Sequence, residues 1–339
     1  MTREPATWRI WLHRGIIGLL VLGLIAVNVG VYTWYIDYYL IGILTLVGIN
    51  IILAASLNLI NGYTGQFSIG HAGFMAVGAY GSALISINLG WPFVVTLFSA
   101  ALMAGLLGVV IGLPTLRLRG DYLAIATLGF GEIIRVLILN LPFTGGPRGL
   151  PGIPPKTTFF WVEAVAILTL IVISNIKNSS HGRALFSIRE DEIASEAMGV
   201  DTTKYKVLAF AIGAAFAGVA GALFAHFQMF IDPKSFAFMK SIEILTMVVL
   251  GGMGSLTGSV LAATTLTILP EALRGFSEYR MIVYSAILVT LMPLRPQGLL
   301  GHLELTDLLP VRRRKTHSPV APVQSEVSGR GSGRGGEFQ

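Results

Sequence analysis

The sequence predicts an all-α membrane protein of about ten transmembrane helices, with an internal repeat and broken or re-entrant Gly-rich segments. Three observations lead there. Of 339 residues, 53% are hydrophobic and only 12% charged, too few charges to cover a water-soluble domain of this length. Apolar runs of spanning length recur along the chain, separated by short polar stretches. The Lys and Arg residues gather in alternate loops, as they do where a chain crosses a bilayer repeatedly.

The first apolar run, 16–36, follows Arg3, Arg9, His13 and Arg14, which resemble the basic start of a signal peptide. It ends on Tyr32, Trp34 and Tyr35 rather than on a small-residue cleavage site, so it reads as an uncleaved membrane helix closed by an aromatic belt. Further spans are expected at 39–60, 72–89, 92–113, 122–141, 159–176, 206–227, 240–254, 258–273 and 279–293. The stretches 240–254 and 258–273 are short and Gly-rich, and read either as one bent hairpin or as broken helices. Counting crossings from a cytoplasmic N-terminus (1–15) puts Arg117 and Arg119, the loop with Lys177, Arg183, Arg189, Lys204 and Lys206, and the cluster Arg312–Lys315 on one side. That parity places both termini in the cytoplasm, a multi-pass topology for a bacterial inner membrane. The transmembrane domain then covers 16–300, and the polar, Ser/Gly/Arg-rich tail within 301–339 is expected to be mostly disordered.

Two places interrupt the apolar pattern. Asn61–His71 carries Gly62, Gly65 and Gly70, and Gly251–Gly258 echoes it with Gly252 and Gly254. Paired interruptions in the two halves of a transporter point to repeats that meet at a substrate path. A tight turn with small-residue helix packing is the alternative. On the path reading, Asn58, Gln66, Ser68, His71 and Gly254 are the candidates. Glu132 and Arg135 are three apart on one face of the fifth helix, close enough to pair. Each alone costs roughly 2.5–3.5 kcal/mol at mid-membrane, so pairing is expected. Glu132 is also a candidate for the path, and a structural clamp between helices is the competing role.

The loop 177–206 is long for a membrane protein, and Gly182–Gly199 within it is partly amphipathic. Ala184, Leu185, Ile188, Ile193, Ala194 and Ala197 are its apolar positions, interrupted at Arg189–Glu192, which predicts two short helices with a stop at Gly199. Such helices would lay apolar side chains on a partner or on the bundle.

Several chemistries are excluded. There is no cysteine, hence no disulfide, thiol nucleophile or zinc-thiolate site. No Gly-x-x-x-x-Gly-Lys-Ser/Thr, His-Glu-x-x-His or Gly-x-Ser-x-Gly is present, and no lysine follows a glycine, so no P-loop binds ATP here. No metal site is expected. The net charge of +6 follows membrane topology and the tail, not a nucleic-acid surface.

The loop resembles the ATPase-docking loop of ABC importer permeases, in which a Glu-Ala pair followed by Gly enters a cleft on the ATPase. Glu196, Ala197 and Gly199 match, with a shorter spacing to the Gly than in the general signature. With Arg189, Glu190 and Asp191 upstream and Lys204–Phe210 downstream, the shorter form is similar to the branched-chain amino acid permease family. Asn61–Tyr80, Gly120–Gly152, Gly182–Gly221, Ser241–Ala263 and Arg295–Leu300 resemble its longer-chain members. The resemblance implies a permease subunit that moves branched-chain amino acids into the cytoplasm and has no cofactor or ATP site of its own. It implies a second homologous permease, two ABC ATPases and a periplasmic amino-acid-binding protein as partners. Urea or another small solute on the same scaffold, or an ion-gradient-driven carrier using Glu132 or His71, are the alternatives.

Overall fold

The computed structural model describes residues 37–116, 118, 120–276, 285 and 286. The N-terminal residues 1–15, the expected helix 16–36, Arg117, Arg119, all but two residues of the expected helix 279–293, Arg295–Leu300 and the tail 301–339 lie outside the described residues.

The chain folds as an all-α membrane protein. Its long helices start and stop where local chemistry dictates. Helix α1 (Tyr38–Asn58) opens on Asp37, whose Oδ1 accepts from the Tyr39 amide at 3.3 Å, and runs directly into one π-helical turn, Leu59–Tyr63. After an extended stretch, α2 (His71–Leu89) follows and ends on Gly90 in the left-handed region. Helix α3 spans Phe93–Thr115, α4 Asp121–Asn140 and α5 Phe159–Asn178. Two short helices come next, α6 (Ser180–Glu190) and α7 (Glu192–Ala197), before the 27-residue α8 (Thr202–Gln228), whose N-cap Asp201 accepts from the Lys204 amide at 3.0 Å. The described helices close with α9 (Phe238–Gly251) and α10 (Leu256–Ala272), the latter capped by Ser255 Oγ on the Gly258 amide at 3.1 Å.

Seven helical stretches among the described residues are long and apolar enough to cross a bilayer. They coincide within a few residues with the spans expected between 39 and 273, with one exception. The stretch at 240–254 becomes α9, which at 14 residues is short of the ~20 that a spanning helix needs. Gly252 and Gly254, with φ of +104° and +93°, turn the chain from α9 into α10, so the two are separate helices that pack on each other.

Helix α8 lies at the centre, against α2 and α3 on one side and α1 on another; α1 in turn carries α10 and α5. The α2–α8 seam is held at backbone distance. A Cβ on Gly78 would strike the Gly218 carbonyl, and one on Gly221 would strike the Met75 carbonyl. Lipid tails are as apolar as leucine, so helices in a bilayer gain from such close van der Waals approach rather than from expelling water. At the end of α8 remote from α6 and α7, a two-residue antiparallel ladder pairs Leu150 with Ile231 and Pro151 with Phe230. His226 Nδ1 lies 2.9 Å from the Pro154 carbonyl, and Lys156 Nζ donates to the Trp91 carbonyl at 2.8 Å, fastening that loop down.

Candidate functional site

The two Gly-rich interruptions, nearly 200 residues apart in sequence, meet. Asn58, the last residue of α1 before the π turn, donates through Nδ2 to the Ser255 carbonyl at 3.0 Å. Its Oδ1 accepts from the Gly254 amide at 2.8 Å. The contact requires glycine on both sides. A Cβ on Gly62 would run into the Gly254 amide nitrogen, and Gly254 itself has a φ that side chains rarely adopt. The π turn, a deformation frequently found at functional sites, brings Asn58–Tyr63 against this junction.

Residues 65–70 have no helical hydrogen bonding, and side chains pair with the backbone of Ser68 and Ile69 instead. Asn61 acts as a surrogate strand for Ser68, with Oδ1 accepting from its amide at 3.2 Å and Nδ2 donating to its carbonyl at 3.3 Å. Thr127 of α4 accepts from the Ile69 amide at 3.1 Å, and Ser241 of α9 accepts from the Ala72 amide at 3.1 Å. His71 Nε2 lies 2.9 Å from Ser56 Oγ. Side chains fare differently. Gln66 Oε1 and Nε2, Ser68 Oγ and His71 Nδ1 are all buried with no hydrogen-bond partner among the described residues. Buried polar atoms are nearly always paired, and four exceptions fall on this one six-residue stretch.

The loop 177–206 is tied to this junction. As the charge run implies, it forms two helices, parted at Asp191, whose Oδ1 caps α7 by accepting from the Ala194 amide at 3.0 Å. Ser187 Oγ and Ser195 Oγ lie 2.5 Å apart and clip α6 to α7. Lys206 Nζ pairs with Glu192 Oε2 at 2.6 Å and ties both to the start of α8. Gly199, at φ +86°, ends the segment. Glu190, Glu196, Ala197 and Gly199 are exposed, as are Ile193 and Met198, the last at 85%. On the inward side, Arg189 Nη1 donates to the Gly62 carbonyl at 2.7 Å. The same nitrogen would stand 2.6 Å from a Cβ on Gly254, and the Arg189 stem covers Gly65. Phe186 adds an edge-on ring contact with Tyr63. One arginine of α6 therefore touches both interruptions.

Of the residues expected on a path, Asn58, Gln66, Ser68, His71 and Gly254 lie on or beside this junction. Glu132 stands apart. Its Oε2 accepts from Arg135 Nε at 2.7 Å, the expected pair, and both side chains are partly exposed, at 34% and 25%. Elsewhere, Glu243 pairs with Lys240 at 3.1 Å. Lys240 reaches Asn50 Oδ1 at 3.5 Å, and Asn50 Nδ2 donates to Thr267 Oγ1 at 2.9 Å. That polar cluster between α1, α9 and α10 escapes a sequence reading, because Asn50 looks like a lone polar residue in an apolar run.

Residues 39–292 match the family described as branched-chain amino acid transport system / permease component. The chain is 42% identical over 296 residues to the high-affinity branched-chain amino acid transport system permease protein LivM of Escherichia coli (strain K12), covering 77% of this chain and 69% of that one. It is 35% identical over 147 residues to LivH of the same organism, a permease protein of the same description, covering 42% of this chain and 46% of LivH. Among solved structures, PsaBC from Streptococcus pneumoniae in complex with Fab overlaps 80% of this chain and 95% of its own at a TM-score of 0.45 and 16% identity. The match across most of the helical region and the extent of the LivM likeness place this multi-pass membrane protein in the family of branched-chain amino acid transport system permease components.

Proposed function

We propose that the chain is the transmembrane permease subunit of an ATP-driven ABC importer that moves branched-chain amino acids into the cytoplasm across a bacterial inner membrane. It would work with a second, homologous permease, two ATPases and a periplasmic amino-acid-binding protein, with the loop 177–206 and both chain ends in the cytoplasm. Arg189 carries the mechanistic part of this reading. Its α6 backbone belongs to the segment whose outer face (Ile193, Glu196, Ala197, Met198) is free for an ATPase, while its guanidinium holds the Gly62 carbonyl at 2.7 Å. A shift of α6 and α7 driven by closure of the ATPase dimer would pull on Gly62. Through Asn58 it would move Gly254 as well.

The path itself would run along residues 65–71, where Gln66, Ser68 and His71 keep polar atoms unpaired among the described residues, while the Glu132–Arg135 pair on α4 would act as a structural clamp. Solute selection would rest largely with the binding protein, which agrees with how few charges the helices carry.

Reconstitution tests the reading. In liposomes holding this chain, the second permease, the ATPases and the binding protein, labelled leucine uptake should require ATP. Arg189→Met should lower it at least tenfold while the ATPases still co-purify. Uptake by this chain alone under an ion gradient, or ATP-driven uptake of urea without leucine, would overturn the assignment.

A further inference from the structure

A cavity of about 140 Å³ lies between the end of α5 and the first half of α8, bounded also by α6 and by Leu59 of the π turn. Ile176, Leu185, Leu208, Ala209 and Ile212 line it, with the rings of His181 and Tyr205, whose centroids are 5.7 Å apart. No polar atom opens onto it. Ile176 is two residues from the end of α5, and Leu208 and Ile212 stand about 9 and 15 Å along α8 from its start at Thr202. Both helices are long and apolar enough to cross a bilayer, so the cavity sits at the depth of lipid tails, in the leaflet beside α6 and α7. Leu208, at 44% exposed, is its most open wall. Apolar cavities of ~150 Å³ stay dry and take up apolar guests the size of benzene. Left empty, such a space forfeits dispersion contacts along every wall.

The residues adjoining this lining are cationic. Lys177 follows Ile176, Lys204 precedes Tyr205, and Arg183 is two positions beyond His181. Arg183 and Lys204 are exposed, and neither is in an ion pair among the described residues. Asp201, the acidic residue nearest the lining in sequence, has Oδ1 engaged with the Lys204 amide at 3.0 Å.

We infer that this is a binding site for one anionic phospholipid, with an acyl chain seated in the cavity and the phosphate and headgroup held by Arg183 and Lys204. Basic pockets between spanning helices bind anionic headgroups in this way. A free inorganic anion would leave the apolar walls uncovered, and a lipid without net charge would leave the two cations unmatched. The seated chain would brace Leu185 of α6 against Leu59 of the π turn, one helical turn from Arg189. The site is therefore a lipid-dependent prop under the docking helices, whatever solute the protein carries.

The test uses the full-length chain in nanodiscs of phosphatidylcholine mixed with phosphatidylglycerol. Native mass spectrometry after release should show one phosphatidylglycerol retained in preference to phosphatidylcholine. Ala209→Leu with Ile212→Phe fills the cavity and should abolish retention of either lipid, while a monodisperse profile shows that the variant folds. Arg183→Gln with Lys204→Gln keeps the cavity and should lower the preference for phosphatidylglycerol roughly fivefold per cation removed. Hydrogen exchange of the α6 amides should be slower with phosphatidylglycerol than in phosphatidylcholine alone, and the cavity-filled variant should not respond. Equal retention of the two lipids by wild type, or equal retention of phosphatidylglycerol by wild type and the cavity-filled variant, would overturn the site. An unchanged preference in the glutamine variant would overturn the headgroup assignment, and α6 exchange indifferent to lipid would overturn the prop.

Discussion

Replacing Asn58 by Ala should destabilise the protein by about 2–4 kcal/mol. The change removes two hydrogen bonds and strands the Gly254 amide, while the Ser255 carbonyl keeps the Ser259 amide at 3.2 Å and the Ser259 hydroxyl at 3.0 Å. An orphaned buried polar group costs about 1–3 kcal/mol. Interhelical hydrogen bonds in membrane proteins average only ~0.6 kcal/mol, because the unfolded chain in a bilayer also finds partners. One stranded group in the first range plus one further lost bond near the second value gives about 2–4 kcal/mol, roughly 30- to 1,000-fold in the folded-to-unfolded ratio. Equilibrium unfolding in mixed micelles measures it. Asn58→Leu separates the causes, since it restores side-chain volume without either bond. If the loss is hydrogen bonding, Asn58→Leu remains as unstable as Asn58→Ala. Recovery to within about 0.5 kcal/mol of wild type, below the ordinary cost of a lost bond, would show that packing holds the junction and would refute the argument.

The same approach extends to two other places. Glu132→Leu should destabilise the protein more than the double change Glu132→Leu with Arg135→Leu, because the single change strands an arginine within a spanning helix; a double-mutant cycle in micelles reads the difference, and additive effects would mean the two side chains do not interact. Gly78→Val should prevent stable folding, since its side chain would have to displace the α8 backbone at Gly218, whereas Gly90→Ala, with open space around it and a left-handed φ of +62°, should cost only ~1–2 kcal/mol. Expression level and monodispersity in detergent measure the pair, and equal behaviour would contradict the seam described for α2 and α8.

Much of this could be read from residues in order, and the reason is physical. Spanning helices announce themselves through length and apolarity, so α1–α5 and α8 begin and end close to where hydropathy places them. The division of 177–206 into two helices follows from the charges at Arg189–Glu192, which break an apolar stripe. Glycine marks both interruptions because little else tolerates those backbone angles. What linear reading does not supply is who meets whom. That Asn58 staples Gly254, or that Arg189 crosses 127 positions to Gly62, depends on how helices lie side by side. Hydropathy is silent there, because every lipid-facing and core-facing residue looks alike.

The seam between α2 and α8 has a mechanical consequence. With backbone set directly on backbone at Gly78, Gly218, Gly221 and Met75, no side chains interleave that could slip from one notch to the next. The pair, with α3 locked to it through Ala100 and Ala104 against Gly218, behaves as a rigid plate. Deformation is then left to the parts that lean on the plate. Among the described residues, the unwound stretch at 65–70 and the glycine corner at 252–254 are where the helices are interrupted and bending costs least.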